Sequence, residues 1–202
     1  MPTDVRIKKG LNINLVGGAE ATISKAVASN VYTIHLDDFH GLTPKMILKE
    51  GAEVKAGEPI FFDKAYPAMK FVSPVSGELV EIERGARRKI LNLRILADKE
   101  QAALAHTPLD LVRATEMEIR AFLLESGCWP FIKQRPYDVI AHPEDVPKAI
   151  FISAYVTAPL AADINYTLKG KEKELQAAID GLGKLTPGKV HIGLGAGEDS
   201  PF

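Results

Sequence analysis

The stretch from Glu50 to Gly85 limits the possible folds more than any other part of the chain. Short apolar runs alternate there with glycine and proline at close spacing, a pattern typical of small strands joined by tight turns. Gly51 and Gly57 suit turns that need a positive φ. In the last strand of the stretch, simple alternation places Leu79 and Glu81 on the same face. The stretch therefore predicts an all-β unit.

This order of strands, glycines and turns resembles the barrel-sandwich hybrid of biotinyl and lipoyl carrier domains. The segment Pro67-Ala68-Met69-Lys70-Phe71 is similar to a biotinylated hairpin, so Lys70 has to be considered as a carrier lysine. Its spacing argues against that role, because Lys70 stands only six residues before Ser76-Gly77, closer than in biotinyl domains. We expect Lys70 to lie past the hairpin, at the start of a strand.

Helical signals replace the short strands near Thr115. Thr115 and Glu118 have the spacing of a capping box, and Gly127 stands where a glycine is expected to end the helix. The apolar run from Ala149 to Tyr155 is typical of a buried parallel strand. A helix over 170–182 and a second strand over 189–194 complete a βαβ unit.

We therefore predict an α+β chain of two domains. Residues 1–100 form an N-terminal all-β barrel-sandwich hybrid of the biotinyl/lipoyl type, and its first strands include Val5 to Ile7. A short helix is expected over Asp98 to Ala105. Residues 101–202 form a partial α/β, Rossmann-like domain. A parallel sheet needs both of its faces covered, and two strands with two helices do not provide this. We therefore expect this domain to be incomplete at its C-terminus.

Charge balance and residue counts exclude several functional classes. The chain has 25 basic and 26 acidic residues, a net charge of −1, so no overall positive field attracts nucleic acid. Its one cysteine, Cys128, excludes an internal disulfide and any multi-cysteine iron–sulfur site. No apolar run reaches the length of a membrane span. The histidines lack metal-site spacing, and no nucleophile motif is present, so we predict no metal site, no catalytic residue and no self-contained active site.

The densest positive patch is a predicted turn between two strands, which carries Arg84, Arg87 and Arg88. Arginines in this arrangement can bind a phosphate or the acidic face of a partner through charge-assisted hydrogen bonds. The alternative is an ordinary solvated turn whose charge is balanced by Glu81 and Glu83. Both interpretations remain open at this point.

Motifs spread over the whole chain resemble the NqrA family, which supplies one subunit of the sodium-translocating NADH:quinone oxidoreductase. In the first half they are Ile7-Lys8-Lys9-Gly10-Leu11, Glu50-Gly51 to Gly57, Lys70-Phe71, Pro74-Val75-Ser76-Gly77 and Arg84-Gly85-Ala86 with Arg88. In the second half they are Leu123-Leu124-Glu125-Ser126-Gly127 with Trp129, Arg135-Pro136-Tyr137, Ala149-Ile150-Phe151, Pro159-Leu160-Ala161-Ala162-Asp163, Leu185-Thr186 and Gly188-Lys189-Val190-His191. The resemblance covers essentially all 202 residues in order.

The resemblance implies a part in a complex that passes electrons from NADH through flavins and an iron–sulfur centre to a quinone and exports sodium. The implied subunit is peripheral, lies on the cytoplasmic side of the bacterial inner membrane and associates with quinone reduction. FMN, riboflavin, FAD and the iron–sulfur centre are expected on the partner subunits, and no cofactor on this chain. The loop Gly127-Cys128-Trp129-Pro130-Phe131 agrees, since one glycine followed by bulky side chains cannot cradle a flavin phosphate.

A proline-rich loop over 128–148 holds the residues that we select as a quinone-associated loop: Trp129, Arg135 and Tyr137. Aromatic rings and an arginine suit packing and hydrogen bonding to a quinone headgroup, whereas the alternative is ordinary loop packing. Two other functions stay open. One is a carrier domain with biotin or lipoate on Lys70, and the other is an assembly adaptor without any ligand.

Overall fold

The computed structural model describes residues 15–195, so the strand predicted at Val5 to Ile7 lies outside the described residues. The strands are β1 Val31–His35, β2 Pro44–Met46, β3 Glu53–Val54, β4 Pro59–Asp63, β5 Lys70–Val72, β6 Gly77–Arg84, β7 Ile90–Ala97, β8 Lys133–Gln134, β9 Val139–Ile140, β10 Ile150–Ser153 and β11 Val190–Gly193. The α-helices are α1 Glu116–Glu125, α2 Ile164–Thr167 and α3 Glu172–Gly183.

Two antiparallel sheets build the first half of the chain. One has the order β1-β7-β6-β3 and the other the order β2-β4-β5. Their shared core contains five apolar side chains with no exposed surface: Ile60, Phe61, Leu79, Leu93 and Ile95. Burying each of these stabilises the fold by roughly 1.5–3 kcal/mol. This arrangement agrees with the predicted all-β barrel-sandwich hybrid.

A β-bulge at Val80 changes the alternation in β6. Leu79 pairs with Ile95, whereas Glu81 pairs with Arg94, so Val80 is the extra residue. Ile82 then packs against the core, and Leu79 and Glu81 lie on opposite faces. The prediction that Leu79 and Glu81 share a face was wrong, because simple alternation takes no account of a bulge.

The segment after β7 is extended, so the helix expected over Asp98 to Ala105 was wrong. Its backbone bonds instead to the turn before β4: the N–H of Leu104 donates to the carbonyl of Ala56 at 2.8 Å. The Gln101 side chain accepts from the N–H of Ser76 at 2.8 Å and donates to the Ser76 carbonyl at 3.2 Å. These bonds satisfy backbone groups of two neighbouring turns, which outweighs the weak helical preference of a short segment.

Helix α1 begins and ends where the sequence predicts. The N–H of Glu118 donates to the Thr115 hydroxyl at 3.3 Å, and the N–H of Thr115 donates to the Glu118 carboxylate at 2.7 Å. Gly127 has a φ of +73° just past the end of the helix, as a terminating glycine should. Ile119 and Leu124 are buried and fix α1 against the core.

The capping box gives α1 a pH dependence. The backbone N–H and the hydroxyl of Thr115 lower the pKa of the Glu118 carboxyl from its usual 4.5. Because the folded pKa is the lower one, the stabilisation is present above pH 4.5 and is lost as the pH falls through the folded pKa. As the pH is lowered below 4.5, we expect the urea midpoint of the wild type to fall more steeply than the urea midpoint of Glu118→Gln. If the urea midpoints of the two proteins changed in parallel with pH, above and below pH 4.5, this prediction would be contradicted.

The second half contains the predicted βαβ unit. Strands β10 and β11 are parallel, with Ile150 opposite Val190, and α2 and α3 lie between them in the chain. The expectation that this strand is buried was wrong within the described residues, because alternate side chains are exposed and Phe151 is 78% accessible.

One apolar cluster runs through both halves of the chain. It joins the core of the two antiparallel sheets to Ile119, Trp129 and Leu185 of the second half. A division of the chain near residue 100 stays a prediction.

Candidate functional site

Lys70 is the first residue of β5, as expected from its spacing. Its ammonium group donates to the carbonyl of Pro67 at 2.8 Å and lies 5.0 Å from the centre of the Phe62 ring. A carrier lysine projects from the tip of a hairpin so that a modifying enzyme can reach it. Lys70 instead folds back over its own hairpin, where the ring and the carbonyl stabilise its charge.

Trp129 is a structural residue of the interior and is only 3% exposed. Its indole N–H donates to the carbonyl of Ala141 at 2.8 Å, and the Arg120 guanidinium lies 5.3 Å from the ring centre. Arg120 also binds the carboxylate of Glu116 at 2.5 Å. Trp129 therefore joins α1 to the segment that follows β9, and its ring is not accessible to a ligand.

The loop expected over 128–148 contains a hairpin of β8 and β9. Its tip carries Arg135 and Tyr137, both exposed, and Tyr137 is 79% accessible. The Arg135 guanidinium lies 3.3 Å from the carboxylate of Asp138, whose φ of +55° tightens the turn. The structure thus brings two of the three selected residues together at the accessible tip, while Trp129 is buried near the base.

The loop after α1 is closed by packing against the first half. A Cβ placed on Gly127 would lie 2.6 Å from a methyl carbon of Val72 in β5. Trp129 and Pro130, the next bulky residues, are buried. These residues do not fit a flavin phosphate, since that ligand needs several free backbone N–H groups at a small-residue loop.

Tyr66 and His142 form a second link between the halves, which sequence reasoning missed. The rings meet edge to face, with centroids 4.2 Å apart, and the Tyr66 hydroxyl is hydrogen-bonded to Nε2 of His142. The two residues are 76 positions apart in the chain. No local pattern signals such a pair, because each residue alone is compatible with a surface loop.

Arg94 binds the carboxylates that were expected to balance the basic turn. Its Nη1 bonds to Glu81 and its Nη2 to Glu83, the latter at 3.1 Å. The hydrogen bond to Glu81, helped by the charge of that carboxylate, raises the pKa of Arg94 above its ordinary value. Glu81 and Glu83 therefore pair with Arg94, and whether they also balance the charge of Arg84, Arg87 and Arg88 stays a prediction.

The basic turn instead lines a groove with the connection between β1 and β2. The groove has a volume of about 470 Å³. Its lining includes Arg84, Arg87 and Arg88. Sequence reasoning identified the turn but not its opposite wall, which lies more than forty positions earlier in the chain.

Two groupings are absent from the described part of the chain. Between residues 15 and 195, no three histidine, cysteine, aspartate or glutamate side chains are grouped so as to hold a metal ion. Over the same range, no helix has the length and apolar character needed to cross a membrane. The barrel-sandwich hybrid and the α/β unit define a class of mixed β and α/β scaffold, and in this chain Lys70 does not project as a carrier lysine does.

Comparison with known proteins identifies the family within that class. The family model for the NqrA N-terminal barrel-sandwich hybrid domain matches residues 5–98. The family model for the NqrA second alpha/beta domain matches residues 114–202. The chain belongs to the NqrA family.

Curated relatives extend this similarity along the chain. A protein from Neisseria gonorrhoeae (strain NCCP11945), named as the A subunit of Na(+)-translocating NADH-quinone reductase, is 33% identical over 98% of this chain. Proteins of the same name from Serratia proteamaculans (strain 568) and Yersinia pestis are 32% and 33% identical, each over 96% of this chain. The chain spans 44% of the length of each of these relatives.

Proposed function

We propose that this chain forms part of a peripheral, quinone-associated subunit of a sodium-pumping NADH:quinone oxidoreductase. The observation that carries this proposal is the similarity to relatives named as the A subunit of Na(+)-translocating NADH-quinone reductase, over 96–98% of the chain. In this proposal the subunit lies on the cytoplasmic side of the bacterial inner membrane and binds the other subunits there. The complex couples electron transfer from NADH to quinone with the export of Na⁺.

The role of this chain in the complex is structural, and the redox cofactors belong to partner subunits. FMN, riboflavin, FAD and the iron–sulfur centre are assigned to those partners. Two features of the chain support this division of labour. The loop at Gly127 is filled by Val72 and by its own bulky residues, and the single cysteine, Cys128, cannot hold a cluster by itself.

The tip of the β8–β9 hairpin is the proposed quinone-contacting surface. Tyr137 offers an exposed ring that can pack on a quinone headgroup, and Arg135 offers N–H donors for a quinone carbonyl. Trp129 does not belong to this surface but positions it, because it anchors the base of the hairpin to α1. The contact thus rests on Arg135 and Tyr137, with Trp129 as a positioning residue.

Photolabelling of the intact complex with an azido-quinone tests this contact. We expect cross-linked peptides from the tip that contains Arg135 and Tyr137. The variant Arg135→Ala/Tyr137→Ala should lower the labelling yield about tenfold, because it removes both the ring and the charged donor. Lys133→Ala is the matched control, since Lys133 is also exposed on this hairpin and should label like the wild type.

The labelling pattern and two further measurements, intact mass and co-purification, test the remaining alternatives. An active complex in which the azido-quinone labels a different subunit, and not this one, would favour a ligand-free assembly adaptor. An intact mass increased by a biotinyl or lipoyl group on Lys70 would favour the carrier function. Failure of the full-length protein to co-purify with a membrane flavoprotein assembly would contradict the whole proposal.

A further inference from the structure

The groove beside the basic turn has the size of a small-ligand site. It lies between the connection from β1 to β2 and the turn from β6 to β7, and its volume is about 470 Å³, within the range of ligand pockets. Two groups of side chains in its lining bear on the kind of ligand. Leu36, Phe39, Leu42 and Ile90 are apolar, whereas Arg84, Arg87, Arg88 and Lys89 are cationic.

Positive charge in this groove is left uncompensated. The one carboxylate in the lining is Asp37, and Lys89 binds it at 2.5 Å. Four cations less one carboxylate leave a charge of +3 with His40 neutral, in a chain whose net charge is −1. Among the residues that the structure describes, Arg84, Arg87 and Arg88 take part in no ion pair with an acidic side chain, and Glu81 and Glu83 bind Arg94.

The backbone of the turn gives a second, independent observation. Arg87 and Arg88 have φ values of +56° and +63°, and the N–H of Lys89 donates to the carbonyl of Ala86 at 3.1 Å. Two central residues with positive φ define a type I′ turn, for which Asn-Gly is the favoured sequence. Arginine at both positions is strained, because its Cβ crowds the backbone at positive φ. This strained turn places the guanidinium groups of Arg87 and Arg88 on the lining of the groove.

We propose that this groove binds a phosphate group carried by an organic ester. Guanidinium groups bind phosphate oxygens through paired, charge-assisted hydrogen bonds, and Arg84, Arg87 and Arg88 supply three of them along one side. The apolar residues Leu36, Phe39, Leu42 and Ile90 contact the organic portion. Two sources share this chemistry, a soluble phosphate monoester and a phospholipid headgroup. This proposal does not depend on the proposed quinone contact.

Binding to the purified chain tests the proposal in two arms at constant ionic strength. The first arm is calorimetric titration with glycerol 3-phosphate, with chloride as the competing anion. The second arm is co-sedimentation with phosphatidylcholine vesicles that do or do not contain phosphatidylglycerol. We expect saturable binding in at least one arm. Binding to the soluble ester assigns a free metabolite-type ligand, and binding to phosphatidylglycerol vesicles alone assigns a lipid headgroup.

Charge-matched variants locate the binding in the groove. Arg87→Gln/Arg88→Gln should weaken binding about tenfold, and Arg87→Lys/Arg88→Lys should give an intermediate affinity, because it keeps the charge but loses the paired donors. The control Arg113→Gln/Lys173→Gln removes the same charge at exposed positions outside the groove and should bind like the wild type. Circular dichroism at the temperature of the binding measurements verifies that each variant is folded.

Three results would overturn the proposal. One is the absence of saturable binding in both arms by the wild type. Another is displacement of the ester by chloride at equal ionic strength, which indicates screening of a diffuse charge. The last is an equal loss of affinity in the groove variant and in the charge-matched control.

Discussion

Replacing Gly77 by alanine is expected to destabilise the chain by more than about 3 kcal/mol, because the position has no space for a side chain. A Cβ at this position would lie 2.0 Å from the carbonyl oxygen of Leu96 and 2.9 Å from the Cα of Ala97. Gly77 pairs with Val54 on one side and with Ala97 on the other. The clash thus falls between β6 and β7, and relief requires these two strands to move apart.

Urea denaturation followed by circular dichroism measures this effect. Gly18→Ala is the matched control, because nothing lies within 4 Å of a Cβ at that glycine and its φ is not in the positive region. We expect the control to stay within about 0.5 kcal/mol of the wild type. A Gly77→Ala variant with the same stability as the control would show that β6 and β7 pair differently.

Trp129→Ala is expected to cost about 3–5 kcal/mol of folding stability, since it empties a large buried site. The substitution also leaves the carbonyl of Ala141 without its indole donor and removes the ring beside Arg120. The hairpin that carries Arg135 and Tyr137 loses its anchor to α1. In the complex, we therefore expect the alanine variant to lose quinone labelling together with stability.

Trp129→Phe separates anchoring from ligand contact. It keeps an aromatic ring but loses the hydrogen bond to Ala141, which should cost about 1–3 kcal/mol. Because the ring is 3% exposed, quinone labelling of the folded complex should match that of the wild type. Phe131→Ala is the control in the same turn, where the ring is 82% exposed and should matter little. Loss of labelling in a well-folded Trp129→Phe complex would show that the indole itself contacts the quinone.

Local signals in the sequence were sufficient for the elements whose bonds are formed within a few residues. The capping box of Thr115 and Glu118, the terminating glycine at Gly127 and the strand that begins at Lys70 are confirmed. Caps and tight turns are satisfied by neighbouring backbone groups, so their residue types reveal them. The helix expected from Asp98 failed because its backbone partners come from a distant turn.

Candidate site residues were harder to predict, because their roles depend on partners far away in the chain. Arg135 and Tyr137 are accessible as a ligand contact requires, whereas Trp129 is buried by α1 and Ala141. No local sequence pattern indicates the contact between Tyr66 and His142. Sequence spacing reports which face of an element a side chain occupies, but not which other element covers that face.

Motifs, periodicity and turn residues are local properties, so the amino-acid sequence was sufficient to assign the family, the two kinds of architecture and the position of the basic turn. How the charges are paired, in contrast, depends on contacts between distant parts of the chain. The bulge at Val80 changes the register of β6 so that Glu81 lies opposite Arg94. Arg94 then binds the two carboxylates, and the arginines of the turn remain free of them. Which residues form ion pairs near the turn thus depends on the register of β6 and β7.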